Sequence, residues 1–212
     1  MRKIYVAIIA TLLVSLNCLA QQGESNINTI NYNYNKNIYV GVGIGLGFFD
    51  PGDVNNYINT QLEGYEIDEG VKEIFVNYSA KFSLNFAISQ NIYFAFFVEG
   101  AWAPKYIYGD DEFYFSYTKI APGLGPKFYL PFASGRHSIF LSPCITYNKM
   151  KFETYSGAKL GGKLQGGVNL RFGDVMLQPY GAINIAKASD GLGLQKFELN
   201  YTDFQLGVEF LF

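Results

Sequence analysis

In the segment Phe204 to Phe212, "FQLGVEFLF", every second residue beginning with Phe204 is apolar. In an extended strand, successive side chains point to opposite faces. One face therefore carries only apolar side chains, those of Phe204, Leu206, Val208, Phe210 and Phe212. The opposite face includes Gln205 and Glu209. A stripe this apolar needs apolar surroundings, and the rest of the sequence indicates what they are.

The N-terminal residues have the features of an export signal. Arg2 and Lys3 precede the apolar run Ile4 to Leu16, which is too short to span a bilayer as a helix. Small residues before Gln21 suit a cleavage site, so we predict a signal peptide at 1–20. A lipid anchor on Cys18 is the less favoured alternative, because Asn17 precedes it where a small residue is expected. We expect the polar, Asn-rich residues 21–36 to form a flexible N-terminal segment.

Composition narrows the class of protein. Aromatic residues make up 17% of the chain and charged residues only 16%, below the usual quarter. Loss of Arg2 and Lys3 with the signal peptide changes the formal net charge from −2 to −4, and no basic patch indicates nucleic-acid binding. The mature chain has no apolar run of eighteen residues, so we expect no transmembrane helix. An exported chain of this kind can enter a membrane only as a closed sheet.

Period-two alternation recurs along residues 37–212 and predicts eight strands. Their predicted ranges are 37–48, 73–88, 92 to about 103, about 113 to 130, 137–148, 158–172, 175 to about 187, and about 196 to 212. The outward positions are mainly Ile, Val, Leu and Phe, whereas the lysines and glutamates fall on the inward positions. Four prolines lie within these strands, where each removes a ladder donor, and we expect bulges or shortened strands at Pro122, Pro126, Pro143 and Pro179.

The connections fall into two length classes. Short turns follow strands two, four and six, and longer loops at 49–72, 104–113, 149–158 and 187–196 follow the others. An even strand number with short turns at one rim and long loops at the other is typical of outer-membrane barrels. The predicted fold class is therefore all-β, an eight-stranded antiparallel, up-and-down transmembrane β-barrel at 37–212.

The signal peptide, the eight alternating runs and the aromatic-alternating strand ending at Phe212 resemble the OmpX/OmpA-like eight-stranded outer-membrane β-barrel family. The Asn/Tyr-rich lead-in with its Ala-Gln cleavage site is also similar to the PorT-like barrels of the Bacteroidetes group. The resemblance implies that the last strand is the assembly signal read by the barrel-assembly machinery, through Phe204, Leu206, Val208, Phe210 and Phe212. It rests on architecture and carries no catalytic motif.

The inward face supplies the candidate site residues. They form a predicted lumen charge network of Lys81, Glu99, Lys119, Lys127, Lys163, Arg171 and Glu209. An eight-stranded barrel is just wide enough for side chains to fill, so these charges must neutralise one another. A turn centred on Gln90 would place Lys81 opposite Glu99, and we expect these two residues to form an ion pair. A filled interior is favoured over a gated pore or proton path. Outward aromatic residues predict a girdle that includes Trp102, Tyr106 and Phe128.

Other motifs point away from catalysis. "GVGIGLG" at Gly41 to Gly47 lacks the spacing of a nucleotide-binding loop, and its inward glycines are better explained as space for large neighbours such as Phe97. The one histidine, His137, is adjacent to Ser138, and neighbouring residues of a strand face opposite ways, so a dyad is disfavoured. We expect no catalytic residues, no metal site and no cofactor.

The sequence therefore favours a non-enzymatic barrel with a structural or surface-interaction role through its loops, of which residues 49–72 form the longest. The alternatives are an accessory subunit of an envelope secretion or assembly machine, a lipid-modifying enzyme, and a secreted lipocalin-like barrel. The expected partners are outer-membrane lipid, the barrel-assembly machinery and an envelope protein, without nucleic acid, and the expected state is a monomer.

Overall fold

The computed structural model describes residues 37–108, 112–132, 137–190 and 197–212. The predicted signal peptide at 1–20 and N-terminal segment at 21–36 lie outside the described residues.

The described chain is mainly extended. Its strands are β1 (Ile38–Phe49), β2 (Val76–Ser89), β3 (Ile92–Tyr108), β4 (Glu112–Phe132), β5 (His137–Phe152), β6 (Tyr155–Phe172), β7 (Val175–Ile185), β8 (Lys187–Asp190), β9 (Phe197–Asn200) and β10 (Asp203–Leu211). One α-helix, α1 (Asp53–Gln61), and one 3₁₀ helix (Glu69–Val71) lie between β1 and β2. Among the described residues, no helix has the length and apolar character that crossing a bilayer requires.

Eight of these strands close into an antiparallel barrel, which confirms the predicted fold class. Their order around the wall is β1-β10-β7-β6-β5-β4-β3-β2, and β8 pairs with β9 in a separate two-stranded sheet. The barrel closes where β1 pairs with β10, from Gly41 opposite Leu211 to Phe49 opposite Asp203. Beyond that register, the amide of Phe212 donates to the carbonyl of Val40 at 2.9 Å. The apolar last strand therefore forms part of the wall.

The outer wall is apolar, as the alternation predicts. On β1 the side chain of Ile44 is 65% exposed, and the other outward positions of this strand are exposed as well. Most inward polar side chains are buried, among them Lys119 and Glu99 at 1% exposure. A water-soluble barrel would show the reverse arrangement, so the secreted lipocalin-like alternative does not fit this chain.

The strands are longer than predicted at one end of the barrel. The pairing of β3 with β4 continues to Tyr108 opposite Glu112, and that of β5 with β6 to Phe152 opposite Tyr155. The predicted loops at 104–113 and 149–158 are therefore mostly strand, and this expectation was wrong. Cross-strand aromatic contacts support the extension, because the rings of Tyr106 and Tyr114 lie 4.6 Å apart.

The two ends of the barrel differ. We call the end with the β1–β2, β3–β4, β5–β6 and β7–β10 connections the loop end, and the end with the β2–β3, β4–β5 and β6–β7 connections the turn end. The predicted loop at 187–196 contains β8, and β8 with β9 forms a hairpin at the loop end.

The prolines do not produce the expected bulges. The register between β4 and β5 is the same at Ile120–Lys149, Gly123–Thr146 and Phe128–Leu141, and only the pairs in between are missing from the ladder. Pro122, Pro126 and Pro143 fall in those gaps, and Pro179 falls in a similar gap between β6 and β7. The strands continue through the prolines because single missing donors are tolerated; the carbonyl of Pro126, for example, accepts a hydrogen bond from Ser142 Oγ at 3.0 Å.

Candidate functional site

The lumen holds a network of buried charges in two groups, supplied by five different strands. Six of the seven predicted residues belong to it, and they are Lys81 on β2, Glu99 on β3, Lys119 and Lys127 on β4, Lys163 on β6, and Glu209 on β10. Each side chain is at most 5% exposed. Two carboxylates organise the network, and each is shared by two lysines.

Glu209 is the first of these carboxylates. Its Oε2 lies 2.7 Å from Lys81 Nζ and 3.4 Å from Lys127 Nζ. Its Oε1 accepts a hydrogen bond from Ser83 Oγ at 2.5 Å. Lys127 Nζ also donates to Gln178 Oε1 at 2.7 Å. Both oxygens of this buried carboxylate therefore have partners, as a buried charge requires.

Glu99 is the second carboxylate that two lysines share. Its Oε2 pairs with Lys163 and its Oε1 lies 3.6 Å from Lys119 Nζ. Lys163 Nζ donates in addition to Gln205 Oε1 at 2.9 Å, which links β6 to β10. Aromatic rings complete the surroundings of the lysines, since Lys119 Nζ lies 4.7 Å from the centre of the Tyr201 ring.

The expected ion pair between Lys81 and Glu99 is replaced by other pairings. The two residues are Cα partners, as the turn geometry predicts. Lys81 nevertheless pairs with Glu209, two strands away across β1. The residue between them is Gly43, which is the Cα partner of both Lys81 and Glu209. Because Gly43 has no side chain, the side chains of Lys81 and Glu209 meet above it.

The other inward glycines of β1 also leave room for side chains of β2 and β10 to meet. Hydrogen bonds from β2 to β10 pass above them, joining Ser83 to Glu209, Ser79 to Gln205, and Asn77 to Asp203. A Cβ added to Gly41 would lie 2.2 Å from Ser83 Oγ, and one added to Gly47 would lie 2.6 Å from Asp203 Oδ2. The glycines thus leave space chiefly for polar side chains. Phe97 does gain space from a glycine, but from Gly123 on β4.

Sequence reasoning missed a third buried carboxylate, Asp203 at the start of β10. Its Oδ2 accepts from Asn77 Nδ2 at 2.9 Å, and its Oδ1 is bonded to Asn184. Asp203 lies within the predicted eighth strand and shares the inward parity of Gln205 and Glu209, so the alternation alone would have identified it.

Arg171, the seventh predicted network residue, lies at the turn end. It is the third residue before Asp174, and its Nε donates to the carbonyl of Gly173 at 3.0 Å in an exposed contact. The structure therefore places Arg171 beside the hairpin turn and not among the central lysines and glutamates.

The remaining predicted residues lie on the outer wall. Within the proposed assembly signal, Leu206, Phe210 and Phe212 are exposed, and Phe204 and Val208 are half-buried. The girdle residues Trp102, Tyr106 and Phe128 are 45%, 58% and 43% exposed. These positions face away from the lumen. Their roles in assembly and in anchoring at the headgroup layers remain predictions.

Above the charges, the loop end of the lumen is apolar, which the sequence had not indicated. The segment after β1 turns at Gly52, which has φ 61°, and forms α1. Val54 and Ile58, one turn apart, and the following Leu62 are completely buried. They pack with inward residues of the surrounding strands, including Tyr117 and Phe152. We call α1 together with the β8–β9 hairpin the plug.

Polar contacts join α1 to the segment that leads into β2 and to β9. Asn55 of α1 bonds both backbone groups of Ile74, accepting from its amide at 2.8 Å and donating to its carbonyl at 3.2 Å. Asp53 Oδ2 accepts from the amide of Glu198 on β9 at 2.9 Å. The buried side chains of Leu199 and Tyr201 join the same apolar cluster. The longest predicted loop, 49–72, thus buries the apolar side chains of α1 in the mouth of the barrel, while most of its other residues are exposed.

His137 lies at the turn end, as the first residue of β5 and in register with Phe132 and Leu170. The lipid-modifying enzyme hypothesis requires it near a nucleophile and a carboxylate at the opposite rim. Among the residues that the structure describes, no group of three His, Cys, Asp or Glu side chains is close enough to hold a metal ion.

Known proteins share the architecture. No family model and no curated protein matches the chain. The crystal structure of Neisserial surface protein A superimposes with a TM-score of 0.55 and 12% identity, over 83% of this chain and 96% of that one. The crystal structure of the attachment invasion locus protein Ail of Yersinia pestis, in complex with the heparin analogue sucrose octasulfate, gives a TM-score of 0.46 at 11% identity. The match covers 82% of this chain and 97% of that one. The N-terminal barrel domain of Pseudomonas aeruginosa OprF gives a TM-score of 0.40 at 10% identity, and the match covers 84% of this chain and 98% of that one.

At 12% identity, the likeness to Neisserial surface protein A concerns the fold alone. The closed wall, its strand number and its apolar exterior agree with that likeness. The chain has the eight-stranded antiparallel β-barrel fold of outer-membrane proteins.

Proposed function

We propose that this protein is a non-enzymatic barrel of the bacterial outer membrane with a closed lumen, and that it acts as a structural or surface-interaction component through its loop end. The observation that carries the proposal is the double closure of the lumen. The charge network fills the middle, and the plug fills the loop end. A barrel with this interior has little room for a solute path.

The loop end offers the surface for an interaction. The helix of the 49–72 segment turns its apolar side chains inward, whereas most residues from Glu63 to Val71 are exposed. Glu63, Glu66 and Asp68 are exposed there, next to the exposed ring of Tyr65. A partner with basic groups would be complementary to this acidic segment.

Membrane location and closure can be tested together. The protein should fractionate with the outer membrane, and the unboiled protein should migrate faster than the boiled protein in gel electrophoresis. In planar bilayers, the wild type should give no steady conductance. Replacement of 53–62 by a Gly-Ser linker should leave the bilayer closed, because the charge network remains. A steady current through the wild type would contradict the closed lumen.

A pull-down of the intact protein from detergent-solubilised envelope tests the interaction. A protein that co-purifies with the wild type and is lost in the triple variant Glu63→Gln, Glu66→Gln, Asp68→Asn would support contact through the acidic segment. The matched control is Glu153→Gln, an exposed acid in the β5–β6 turn. Recovery of a stable, multi-protein envelope complex would instead favour the accessory-subunit alternative, which rests on the PorT-like resemblance.

A further inference from the structure

The outer wall has a groove that the proposed function does not use. It is an open depression with a volume of about 610 Å³, and it crosses the outward faces of β2 to β6. Its lining is apolar and includes Phe82, Val98, Pro122, Leu124, Tyr147 and Leu160. The groove lies at the level where the β4–β5 ladder is interrupted, between the pairs Ile120–Lys149 and Gly123–Thr146.

The shape follows from the side chains of one row across the sheet. Phe82 is in register with Val98, and Val98 with Pro122. The short Val98 and Pro122 form the floor, and the longer Phe82 and Tyr147 flank them. A second row, which includes Leu124 and Ile145 in register with each other, continues the groove towards the turn end.

Two lysines stand at the loop-end side of this groove. Lys149 and Lys151 follow Tyr147 on the same face of β5, roughly 7 and 13 Å farther along the strand at 3.3 Å per residue. Both are exposed, and in the described part of the chain neither has a carboxylate within 4.0 Å. Their neighbours in register are Ile120 and Thr118 on β4, which carry no charge.

We propose that this groove binds a single anionic membrane lipid, with an acyl chain lying between Phe82 and Tyr147 and its phosphate held by Lys149 and Lys151. The inference rests on the barrel lying in a bilayer. Lipid is the occupant that matches both parts of the surface, because an apolar trough within an apolar wall faces hydrocarbon. Two unpaired ammonium groups at the end of that trough complement a phosphate headgroup.

The one tryptophan of the chain provides the measurement. Trp102 is in register with Thr118, and Thr118 with Lys151, so the indole lies two strands from the lysines, or about 10 Å. The protein is reconstituted in phosphatidylcholine vesicles that contain acyl-brominated phosphatidylglycerol or acyl-brominated phosphatidylcholine. Quenching of the Trp102 fluorescence then gives the relative binding constant of the two lipids.

We expect the wild type to prefer phosphatidylglycerol by about fivefold or more, the effect of one or two lysines near a lipid surface. The double variant Lys149→Gln, Lys151→Gln should lose this preference. Lys159→Gln, an exposed lysine on β6 of inward parity, is the matched control and should keep it. Val98→Phe, which fills the floor of the groove, should also reduce the preference although both lysines remain.

Equal binding of the two lipids by the wild type would overturn the proposal. So would an equal loss in Lys159→Gln, which would indicate a diffuse effect of net charge, or an unchanged preference in Val98→Phe. Absence of quenching by either lipid would contradict the membrane location itself, so the two failures are distinguishable. Folding of every variant is checked by its heat-dependent gel migration.

Discussion

The two parts of the lumen are closed by different chemistry. In the middle, lysines and glutamates from the barrel strands pair across the interior. At the loop end, a helix and a hairpin inserted between strands bring Val54, Ile58 and Leu199 into an apolar cluster. The comparison shows that a narrow barrel can be filled by its own strands or by its connections. Variants that affect one part should leave the other intact.

The largest effect should come from the charged part. Glu209→Ala removes the acceptor shared by Lys81 and Lys127, and two buried ammonium groups then lose their nearest carboxylate. We expect the free energy of unfolding to fall by about 3 to 5 kcal/mol. Urea unfolding in lipid vesicles measures it.

The control for this variant is Glu198→Ala, which breaks the exposed pair with Lys187. Those two side chains are 57% and 58% exposed, and the expected cost is only about 0.5 kcal/mol. A similar cost for both variants would mean that burial adds nothing to the pairing of Glu209.

Ile58→Ala tests the apolar part. Ile58 is fully buried, and its truncation leaves a cavity that should cost about 3 kcal/mol. The loss should be local, since α1 is a connection and not a wall strand. Hydrogen exchange should therefore speed up for the amides of α1 while those of β10 keep their protection. The neighbouring Thr60→Ala is the control, because Thr60 is exposed. Equal acceleration in β10 would show that the plug and wall unfold together.

A smaller effect is expected from the glycines that allow the network to form. In Gly41→Ala, the added Cβ would meet Ser83 Oγ at 2.2 Å and Glu209 Oε1 at 2.8 Å, so their hydrogen bond must move. We expect a loss of about 2 kcal/mol in the same urea experiment. Gly100→Ala is the control, because its Cβ would have no neighbour within 4 Å. Destabilisation by Gly100→Ala alone would contradict the packing explanation.

The smallest predicted effect concerns the attachment of the plug. Asn55→Ala removes both hydrogen bonds to Ile74, in a partly buried site. We expect a local loss of about 1.5 kcal/mol, seen as faster amide exchange at Ile74. Asn56→Ala, one residue later and exposed, should leave that exchange unchanged.

Periodicity was enough to predict the wall and most of the charged part. Alternation assigns each residue to the lumen or to the exterior, and β1 and β10 follow it throughout. It could not predict which charges pair, because partners such as Lys81 and Glu209 lie on strands that are not neighbours. Lys81 can pair with Glu209 because Gly43, which lies between them on β1, has no side chain. This pairing depends on the register of three strands, β2, β1 and β10.

The plug could not be predicted for a different reason. The residues 53–62, "DVNNYINTQL", contain only Val54, Ile58 and Leu62 as aliphatic residues, at helical spacing, and a polar background hides so short a pattern. Their burial depends on Tyr117, Met150 and Phe152, which come from distant parts of the chain. The strand extensions at 104–108 and 149–152 were missed because Pro104, Lys149 and Lys151 interrupt the apolar stripe of outward positions.

The glycine-rich β1 also bears on how the cylinder could come apart. The contacts above its glycines join residues 126 and 128 positions apart, such as Asn77 with Asp203 and Lys81 with Glu209. These side-chain contacts join β2 to β10 across β1, whose inward positions are mostly glycine. Separating the first and last strands would expose ammonium and carboxylate groups to hydrocarbon. Sideways opening at this seam is therefore strongly opposed, and its closure should be a late, all-or-none event in folding.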